Sequence, residues 1–411
     1  MTVLRRVPDD EALLGNYNRA PITIVRGEGC YLYDDQGTRY LDFIAGIAVC
    51  ALGHCHPWIS QAIAEQARTL VHCSNLYHHE PAGALARELV ARSGLARAFF
   101  CNSGTEANEA AIKLARKRAF RKGEPERIKI LACSGSFHGR TYGSLAATAN
   151  DHYKEGFGPM PDGFAFTPFN DAIELGKNFD NTVAAFIVEP VQGESGVHPA
   201  TIEFLATARH LCDRYGALLI FDEIQCGMGR LGPLFAFQRF GITPDVVTMA
   251  KALANGLPIG AMLVAECAID ALQPGDHGTT FGGSPVPCAA GLAHLRVRDA
   301  IDLAEYVRVR EVQLMARLAD LALAFPNIIT GLRGMGLLAA LSLNEKYPVA
   351  DVVSALREHG LLVGSAGGNS LRFAPPLVLG EEHVDEAYDV LYEVLSQLQE
   401  GKPAAVLAGE A

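Results

Sequence analysis

The chain has 411 residues, of which 49% are hydrophobic and 20% charged, as is typical of a folded protein with a large apolar core. Its formal net charge of −11 argues against nucleic acid or an anionic membrane surface as the main partner. No transmembrane helix is expected, because no long apolar run occurs. The N-terminus lacks the apolar segment of a signal peptide, and the ten cysteines are scattered. These features favour a cytoplasmic protein with reduced thiols.

The first part of the chain predicts a hairpin followed by helices. Residues 29–33 and 39–43 alternate in polarity around the turn sequence DDQG. Helical periodicity then covers residues 57–70 and 83–97. The connection between the hairpin and the first helix reads GHCHP, and consecutive residues cannot easily converge on one metal ion. A turn that opens a helix is therefore the better interpretation.

A phosphate-binding turn is predicted after a short strand at residues 98–101. Ser103 and Glu106 have the spacing of a capping box, and an Ala-rich helix follows them. A helix N-terminus presents free N–H groups to an anion, and Gly104 would permit close approach. An ordinary capped helix is the alternative. The stretch matches neither a P-loop nor a dinucleotide-binding fingerprint.

Two further strands are predicted, and the loop after the first of them contains residues that could contact a ligand. The strand over residues 129–133 leads into a Gly-rich loop with Phe137 and Arg140, which could stack on a planar ring and clamp a carboxylate. Core packing of the aromatic and a solvated Arg remain the alternative. The strand over residues 181–190 ends in an acid, Glu189.

An acid and an amine end two successive buried strands. The apolar run 217–221 leads into Asp222, and the run 245–250 leads into Lys251. Open α/β sheets bind their ligands at the carboxyl ends of the strands, so we expect Asp222 and Lys251 to share a pocket. The alternation of strands and helices predicts an α/β fold with a mostly parallel sheet.

The last third of the chain has a different pattern. A Gly/Thr loop at residues 278–284 precedes a long helical region that extends to about residue 323. Its hydroxyls could cap the helix or reach a phosphate. From residue 328 onward, short strands and helices indicate a separate α+β domain, with Arg372 inside a short strand.

A phosphate-binding turn, a stacking aromatic, an acid and a Lys together match what pyridoxal 5′-phosphate requires. The Lys forms a Schiff base with its aldehyde, and the acid keeps the pyridine nitrogen protonated, so that the ring accepts electrons. The released Lys can then move a proton as general base and acid. Arg140 and Arg372 would be available to bind substrate carboxylates through bidentate hydrogen bonds.

Motifs along nearly the whole chain carry a family resemblance. They read YLDFIAGIAVCALGHCHP, FFCNSGTEANEAAIKLAR, FHGRTYGSLAAT, FIVEPVQGESG, LLIFDEIQCGMGRLG, MAKALANGLPIGAM, HGTTFGG and LRFAPPLVL. The chain resembles the class III pyridoxal-phosphate aminotransferases of fold type I, and most of all the N-acetylornithine aminotransferases. The resemblance implies a large, mostly parallel α/β/α domain and a smaller α+β domain formed by both termini. The implied segments are 1–50 and 301–400 for the small domain, 51–300 for the large cofactor-binding domain, and 401–411 for a flexible tail.

The resemblance also implies roles for cofactor-binding residues. Lys251 would be the Schiff-base lysine, and Asp222 would bind the pyridine nitrogen. The other cofactor-binding residues would be Ser103, Gly104, Thr105, Phe137, Glu223, Ile224, Gln225 and Thr280. Thr280 would reach the phosphate held by a neighbouring subunit, which makes the active site a property of a homodimer.

Substrate-binding residues follow from the same resemblance. Arg140 would bind the α-carboxylate of an acylated ornithine or the side-chain carboxylate of glutamate. Arg372 would bind the α-carboxylate of glutamate or 2-oxoglutarate, and Glu194 would pair with Arg372 while the amine donor is bound. Thr279 would touch the substrate, and Tyr17 would form part of the pocket mouth.

The activity implied is transfer of the δ-amino group of N2-acetyl-L-ornithine to 2-oxoglutarate, giving N-acetyl-L-glutamate 5-semialdehyde and L-glutamate in arginine biosynthesis. The alternatives are another ω-amino substrate (N-succinylornithine, ornithine, 4-aminobutyrate or a carrier-bound lysine precursor) and a pyridoxal-phosphate-binding protein without turnover. A nicotinamide dehydrogenase is disfavoured, because the dinucleotide fingerprint is missing. No metal is expected, and a zinc enzyme built on His54, Cys55 and His56, or on His78 and His79, is also disfavoured.

Overall fold

A computed structural model describes residues 12–403 and residue 407. Its strands are Ile24–Glu28, Tyr31–Asp34, Arg39–Asp42, Arg97–Cys101, Lys129–Cys133, Phe164–Thr167, Val183–Val188, Val191–Gln192, His198–Pro199, Leu218–Asp222, Val246–Met249, Gly260–Val264, Ile329–Met335, Leu338–Leu343, Leu361–Leu362, Gly364–Ala366 and Ser370–Phe373. Its principal helices are Pro57–Thr69, Glu80–Ser93, Gly104–Arg121, Tyr142–Ala146, Ala172–Asn178, Ile202–Tyr215, Ala236–Phe240, Pro285–Ala300, Leu303–Ala324, Val349–Glu358 and Glu381–Gln399. Most of the tail predicted over 401–411, and the first 11 residues of the segment predicted over 1–50, lie outside the described residues.

Seven strands form the central sheet. Their order across it is 97–101, 260–264, 246–249, 218–222, 183–188, 129–133 and 164–167. The strand Gly260–Val264 is antiparallel to both of its neighbours, and the other adjacent pairs are parallel. The prediction of a mostly parallel sheet in an α/β fold is therefore confirmed. None of the helices in the described part of the chain is both long enough and apolar enough to cross a membrane.

The central sheet is covered by helices on both faces. Along the strand Leu218–Asp222, Leu219 and Phe221 belong to one apolar core, whereas Leu218 and Ile220 belong to a second. Alternate side chains of a strand point to opposite faces, so these two cores are the two sides of the sheet. Helix Ile202–Tyr215 contributes to the first core and helix Gly104–Arg121 to the second. The strands consequently read as continuous apolar runs, as in other sheets buried on both faces.

Two smaller sheets contain the C-terminal strands. The predicted hairpin is confirmed, since Tyr31–Asp34 pairs antiparallel with Arg39–Asp42. The chain returns more than 300 residues later to add Leu361–Leu362 parallel to the second hairpin strand, so residues near both ends share this sheet. The other sheet has the order 329–335, 338–343, 370–373 and 364–366, and it carries Arg372.

Backbone conformation explains two differences from the predicted helices. The helix predicted over 83–97 occupies Glu80–Ser93, because Gly94 adopts a left-handed conformation with φ of 72° and ends it. The helical region predicted to extend to residue 323 is two helices. They are separated at Asp302, whose φ of 44° is incompatible with a continuous α-helix.

Arg230 connects the loop after Asp222 to the sheet that carries Arg372. Its side chain is fully buried, and its Nη1 donates to the carbonyl oxygens of Leu337 and Pro375. Burial lowers the pKa of Arg230 to about 9. Leu337 and Pro375 flank the strands that surround Arg372. This contact therefore fixes the small sheet against the large one at the edge where the pocket lies.

Candidate active site

The carboxyl ends of the central strands surround a cavity of about 390 Å³. Asp222 ends one strand and is aligned with Thr248 of the next, three residues before Lys251. Glu189 follows the strand on the other side of Asp222. Asp222, Lys251 and Glu189 all line the cavity. The pocket predicted from the two strand ends is thus present.

Three donors hold the carboxylate of Asp222, which is only 4% exposed. Oδ2 accepts hydrogen bonds from Asn108 Nδ2 at 2.7 Å and His138 Nδ1 at 2.8 Å. Oδ1 accepts one from the backbone N–H of Ile224 at 3.0 Å. Asn108 is itself oriented by Thr248, whose hydroxyl donates to the amide oxygen at 2.7 Å. The acid therefore has one fixed orientation at the floor of the pocket.

Lys251 begins a short 3-10 turn, Lys251–Ala254, and lines the same cavity as Asp222. Its φ of 41° is unusual for a residue with a side chain. Burial lowers the pKa of the Lys251 amine, and the neighbouring Glu194 opposes that shift. The direction is the one that a nucleophilic amine requires. Asn255 ends the turn, and its side chain bonds to the backbone of Leu52 and Gly53.

The helix Gly104–Arg121 points its N-terminus at the cavity. Ser103 caps it by accepting the N–H of Glu106 at 3.3 Å, as the capping-box spacing predicts. The backbone N–H groups of Gly104 and Thr105 have no hydrogen-bond acceptor in the described chain, so they are available to an anion. A Cβ at position 104 would lie 2.7 Å from Ile224 Cδ1, so only glycine lets the helix approach this wall.

The Gly-rich loop with Phe137 and Arg140 is fastened to the same helix. The backbone N–H groups of Arg140 and Thr141 each donate to Thr105 Oγ1 at 3.2 Å. Gly139 has a φ of 138°, and a Cβ there would collide with the Thr105 side chain. The phosphate-binding turn and the aromatic loop therefore form one rigid wall.

An ion pair closes another side of the pocket. Arg372 Nη1 lies 2.6 Å from Glu194 Oε1, which also accepts a hydrogen bond from Gln225 Nε2 at 3.0 Å. Burial raises the pKa of Glu194, but the charges of Arg372 and Lys251 outweigh this effect and lower it overall. Two buried atoms, Arg372 Nε and Gln225 Oε1, lack a hydrogen-bond partner within the described chain. One donor and one acceptor therefore stay unpaired beside the ion pair.

Comparison with known proteins identifies the architecture. The model of the family described as aminotransferase class-III matches residues 14–395. The chain belongs to this family. The class-III match covers nearly all of the described chain and every pocket residue discussed above. The protein is accordingly an aminotransferase that uses pyridoxal 5′-phosphate with amino-acid and 2-oxo-acid substrates.

Several class-III relatives resemble the whole chain. An acetylornithine aminotransferase of Methanocaldococcus jannaschii is 45% identical over 383 residues, which are 93% of this chain and 96% of that protein. One of Thermosynechococcus vestitus is 46% identical, over 95% of this chain and 96% of that protein. Among solved structures, an ornithine aminotransferase from Toxoplasma gondii has a TM-score of 0.91 and 33% identity, covering 95% of this chain and 94% of that one.

The pocket residues fit the cofactor of class-III enzymes. Gly104 and Thr105 have free N–H groups for a phosphate, and Asp222 presents a carboxylate to a ring nitrogen. Gln225 lines the same cavity, and its Oε1 has no hydrogen-bond partner in the described chain. Lys251 supplies the amine that class-III chemistry requires. The shape and the donor set therefore agree with pyridoxal 5′-phosphate.

Most of the predicted site residues line the cavity. They are Ser103, Gly104, Thr105, Phe137, Arg140, Glu194, Asp222, Ile224, Gln225 and Lys251. Arg372 reaches this site through its ion pair with Glu194. The predicted residues therefore come together from six separate stretches of the sequence.

Four predicted residues lie elsewhere. The carboxylate of Glu223 accepts the N–H groups of Ala236 and Phe237 at 2.6 and 2.7 Å, so its side chain caps a helix rather than facing the pocket. Thr279 Oγ1 accepts a hydrogen bond from Asn102, a residue of the cavity wall, at 3.1 Å. Thr280 is exposed, and Tyr17 is 70% exposed.

Three of the four histidines considered as metal ligands, His54, His56 and His79, have other partners. His54 Nε2 lies 2.7 Å from Asp42 Oδ2; although burial opposes the shift, this hydrogen bond raises the pKa of His54 to about 10. His56 and His79 accept backbone N–H groups at the starts of two helices. Within the residues that the structure describes, no group of three or more His, Cys, Asp or Glu residues could hold a metal ion.

Sequence reasoning assigned no role to three buried polar residues of the site. Asn108 and His138 orient Asp222, and Glu189 accepts the N–H of Phe137 at 3.1 Å. Burial and the charge of Asp222 raise the pKa of Glu189. The sequence does carry one sign of such a role, which is a polar residue within an apolar segment, such as Asn108 in its Ala-rich helix.

Proposed function

We propose that this aminotransferase transfers the δ-amino group of N2-acetyl-L-ornithine to 2-oxoglutarate, giving N-acetyl-L-glutamate 5-semialdehyde and L-glutamate. One observation carries the proposal. Of the two Arg residues at the pocket, Arg372 is paired with Glu194, whereas the Arg140 side chain has no hydrogen bond or ion pair in the described chain. One cation is neutralised and one is available, which suits a donor with a single carboxylate.

The same pair of Arg residues accommodates both substrates. The one carboxylate of acetylornithine would bind to Arg140 while Glu194 keeps Arg372 neutralised. Glutamate has two carboxylates, so Glu194 would release Arg372 to bind the second one. Bidentate Arg–carboxylate contacts supply geometric specificity in each case. The relatives named acetylornithine aminotransferase, at 45% and 46% identity, support this choice of donor.

The pocket residues would divide the chemistry among them. Bound pyridoxal 5′-phosphate supplies an electron sink. In our proposal Asp222 holds the proton on the ring nitrogen, while Gly104 and Thr105 bind the phosphate. Phe137 covers the ring and excludes water. The Lys251 amine would accept the proton from Cδ of acetylornithine in one half-reaction and would donate a proton to Cα of the new glutamate in the other.

A homodimer is part of this proposal. Thr280 is exposed on one subunit, and in a dimer it would reach the phosphate bound by the other. Nearby large apolar side chains are also exposed, with Leu76 at 84%, Tyr77 at 70% and Phe281 at 61%. Exposed apolar side chains grouped in this way are typical of association surfaces. We further propose a cytoplasmic location and domain boundaries near residues 50 and 300; substrate contacts by Thr279 and Tyr17 stay predictions.

A panel of amine donors tests the proposed substrate. Purified protein with pyridoxal 5′-phosphate is assayed against 2-oxoglutarate with N2-acetyl-L-ornithine, N-succinylornithine, ornithine and 4-aminobutyrate. We expect the highest kcat/KM with acetylornithine. A higher kcat/KM with another donor would identify that donor as the substrate instead. If pyridoxal 5′-phosphate binds but glutamate does not convert it to its amine form, the result would instead indicate a binding protein without turnover.

Substitution of Arg372 should separate the two half-reactions. In Arg372→Ala, we expect the rate constant of the glutamate half-reaction to fall by about 30- to 1,000-fold, because a charge-assisted carboxylate contact is lost. The acetylornithine half-reaction should fall by less than about tenfold, because its carboxylate binds elsewhere. Single-turnover absorbance measurements of the bound cofactor report each half-reaction.

Arg333→Ala is a matched control for Arg372. Arg333 lies in the same sheet and donates to the Gly196 carbonyl at 2.9 Å, outside the cavity lining. Arg333→Ala should change the rate constants of both half-reactions by the same factor. Equal losses in Arg372→Ala would contradict the proposed division between the two Arg residues.

A further inference from the structure

The guanidinium of Arg140 is stacked on an aromatic ring outside the predicted site. Its Cζ lies 3.6 Å from the centre of the Tyr153 ring. The Phe137 ring is farther away, with its centre 5.6 Å from the same atom. Because the Arg140 side chain forms no hydrogen bond or ion pair with any residue described, this stacking is its principal restraint.

Tyr153 comes from a different part of the chain than the loop it supports. It lies in the 3-10 turn Asp151–Lys154, and its ring is half-buried. The ring also meets Phe137 edge-on, with ring centres 6.1 Å apart and planes at 87°. One tyrosine therefore contacts both the aromatic residue and the cationic residue of the Gly-rich loop.

Stacking of this kind leaves the guanidinium able to bind a carboxylate. A ring on the face of a guanidinium attracts the cation, while the N–H donors in the guanidinium plane remain free for a bidentate contact. A side chain already restrained in this way loses less conformational freedom when the ligand binds. Without the ring, Arg140 would be an exposed and flexible cation at the pocket mouth.

We propose that Tyr153 is a positioning residue that presents Arg140 to the substrate carboxylate, and thereby selects ω-amine donors that carry this carboxylate. The inference rests on the proposed function, because it assigns that carboxylate to Arg140. Tyr153 is not among the residues that line the cavity, so it acts through Arg140 and not on the substrate directly.

The test compares two donors that differ only in the carboxylate. N-acetylputrescine has the amine and acetyl groups of N2-acetyl-L-ornithine but lacks the α-carboxylate. In Tyr153→Leu, we expect kcat/KM for acetylornithine to fall by about 3- to 20-fold, the range of a lost cation–π contact. The loss should appear mainly as a higher KM, and the value for N-acetylputrescine should stay within about twofold. Tyr153→Phe keeps the ring and should restore the wild-type ratio between the donors.

Several outcomes would overturn this role. Equal losses with both donors would mean that Tyr153 supports the fold or the cofactor. If kcat/KM for acetylornithine fell as much in Tyr153→Phe as in Tyr153→Leu, the hydroxyl of Tyr153 and not its ring would be responsible. Tyr153→Met, with a flexible side chain of similar length, provides a second ring-free variant if the Leu variant does not fold.

A separate pair of substrates distinguishes failure of this inference from failure of the proposed function. If the wild-type protein does not use acetylornithine, the proposed donor is wrong. The comparison is then made between L-glutamate, whose side-chain carboxylate would bind Arg140, and L-alanine, which has none. Tyr153→Leu should weaken the half-reaction of glutamate alone. Equal effects on glutamate and alanine would reject the positioning role independently of the donor.

Discussion

Replacement of Lys251 by Ala is expected to reduce turnover by at least about 10⁴-fold, because no other amine lines the cavity in the described part of the chain. Lys251 supplies the amine at the cavity that Asp222 also lines. The other cationic side chains at the pocket are the guanidinium groups of Arg140 and Arg372, which do not act as proton-transfer groups near neutral pH. The variant therefore loses the group that moves the substrate proton.

The Lys251→Ala protein should nevertheless retain pyridoxal 5′-phosphate. The phosphate-binding helix end at Gly104 and Thr105 is formed by hydrogen bonds that do not involve Lys251, and the same is true of the donors to Asp222. Gel filtration followed by absorbance of the bound cofactor measures retention, and steady-state assay measures kcat. Lys122→Ala, at an exposed helix end, serves as the control. Wild-type turnover in Lys251→Ala would remove this residue from the mechanism.

The pocket was predictable from the sequence because its two key residues end adjacent strands. Buried parallel strands read as apolar runs, and their register places Asp222 beside Thr248, close to Lys251. The capped helix start at Ser103 was also visible, since a cap and a Gly turn are local features. Local patterns thus specified both the fold class and the position of the site.

The partners of these residues depend on tertiary contacts and were not predictable. Asn108 and His138 reach Asp222 from a helix and a loop that precede it by more than 80 residues in the chain. Their polar side chains are buried and oriented only when the sheet brings the three elements together. The role of Tyr153 was not predictable for the same reason, because the sequence around a loop aromatic does not indicate which cation it stacks on.

The family motifs do not show in which direction each side chain points, so some of the roles they imply do not fit the individual residue. Glu223 directly follows Asp222, and successive residues at a strand end point to opposite sides. Its carboxylate therefore caps the helix Ala236–Phe240 while Asp222 faces the pocket. Thr280 poses a different problem, since the role that the resemblance implies belongs to a second subunit. A residue that acts on another chain cannot be placed from one chain alone.

Replacement of Asp222 by Asn should lower kcat in both half-reactions by about 10³-fold or more, because a neutral amide does not hold a proton on the ring nitrogen. The substitution preserves the size of the side chain, so the pocket keeps its shape. The new NH2 group must, however, face either the donors Asn108 Nδ2 and His138 Nδ1, which lie 2.7 and 2.8 Å from Oδ2, or the backbone N–H of Ile224, which lies 3.0 Å from Oδ1. Thermal unfolding and cofactor absorbance of the variant separate this local repulsion from loss of chemistry.

Glu189→Gln is the informative comparison for Asp222, because both acids end neighbouring strands at the same cavity. Burial and the charge of Asp222 raise the pKa of Glu189, and glutamine keeps an oxygen that can accept the N–H of Phe137. We expect kcat of Glu189→Gln to remain within about tenfold of wild type, since no charge that the chemistry needs is removed. If Glu189→Gln lost as much activity as Asp222→Asn, the negative charge of Asp222 would not be what drives the reaction. A small loss at Glu189 and a large one at Asp222 would instead assign the ring nitrogen to Asp222 alone.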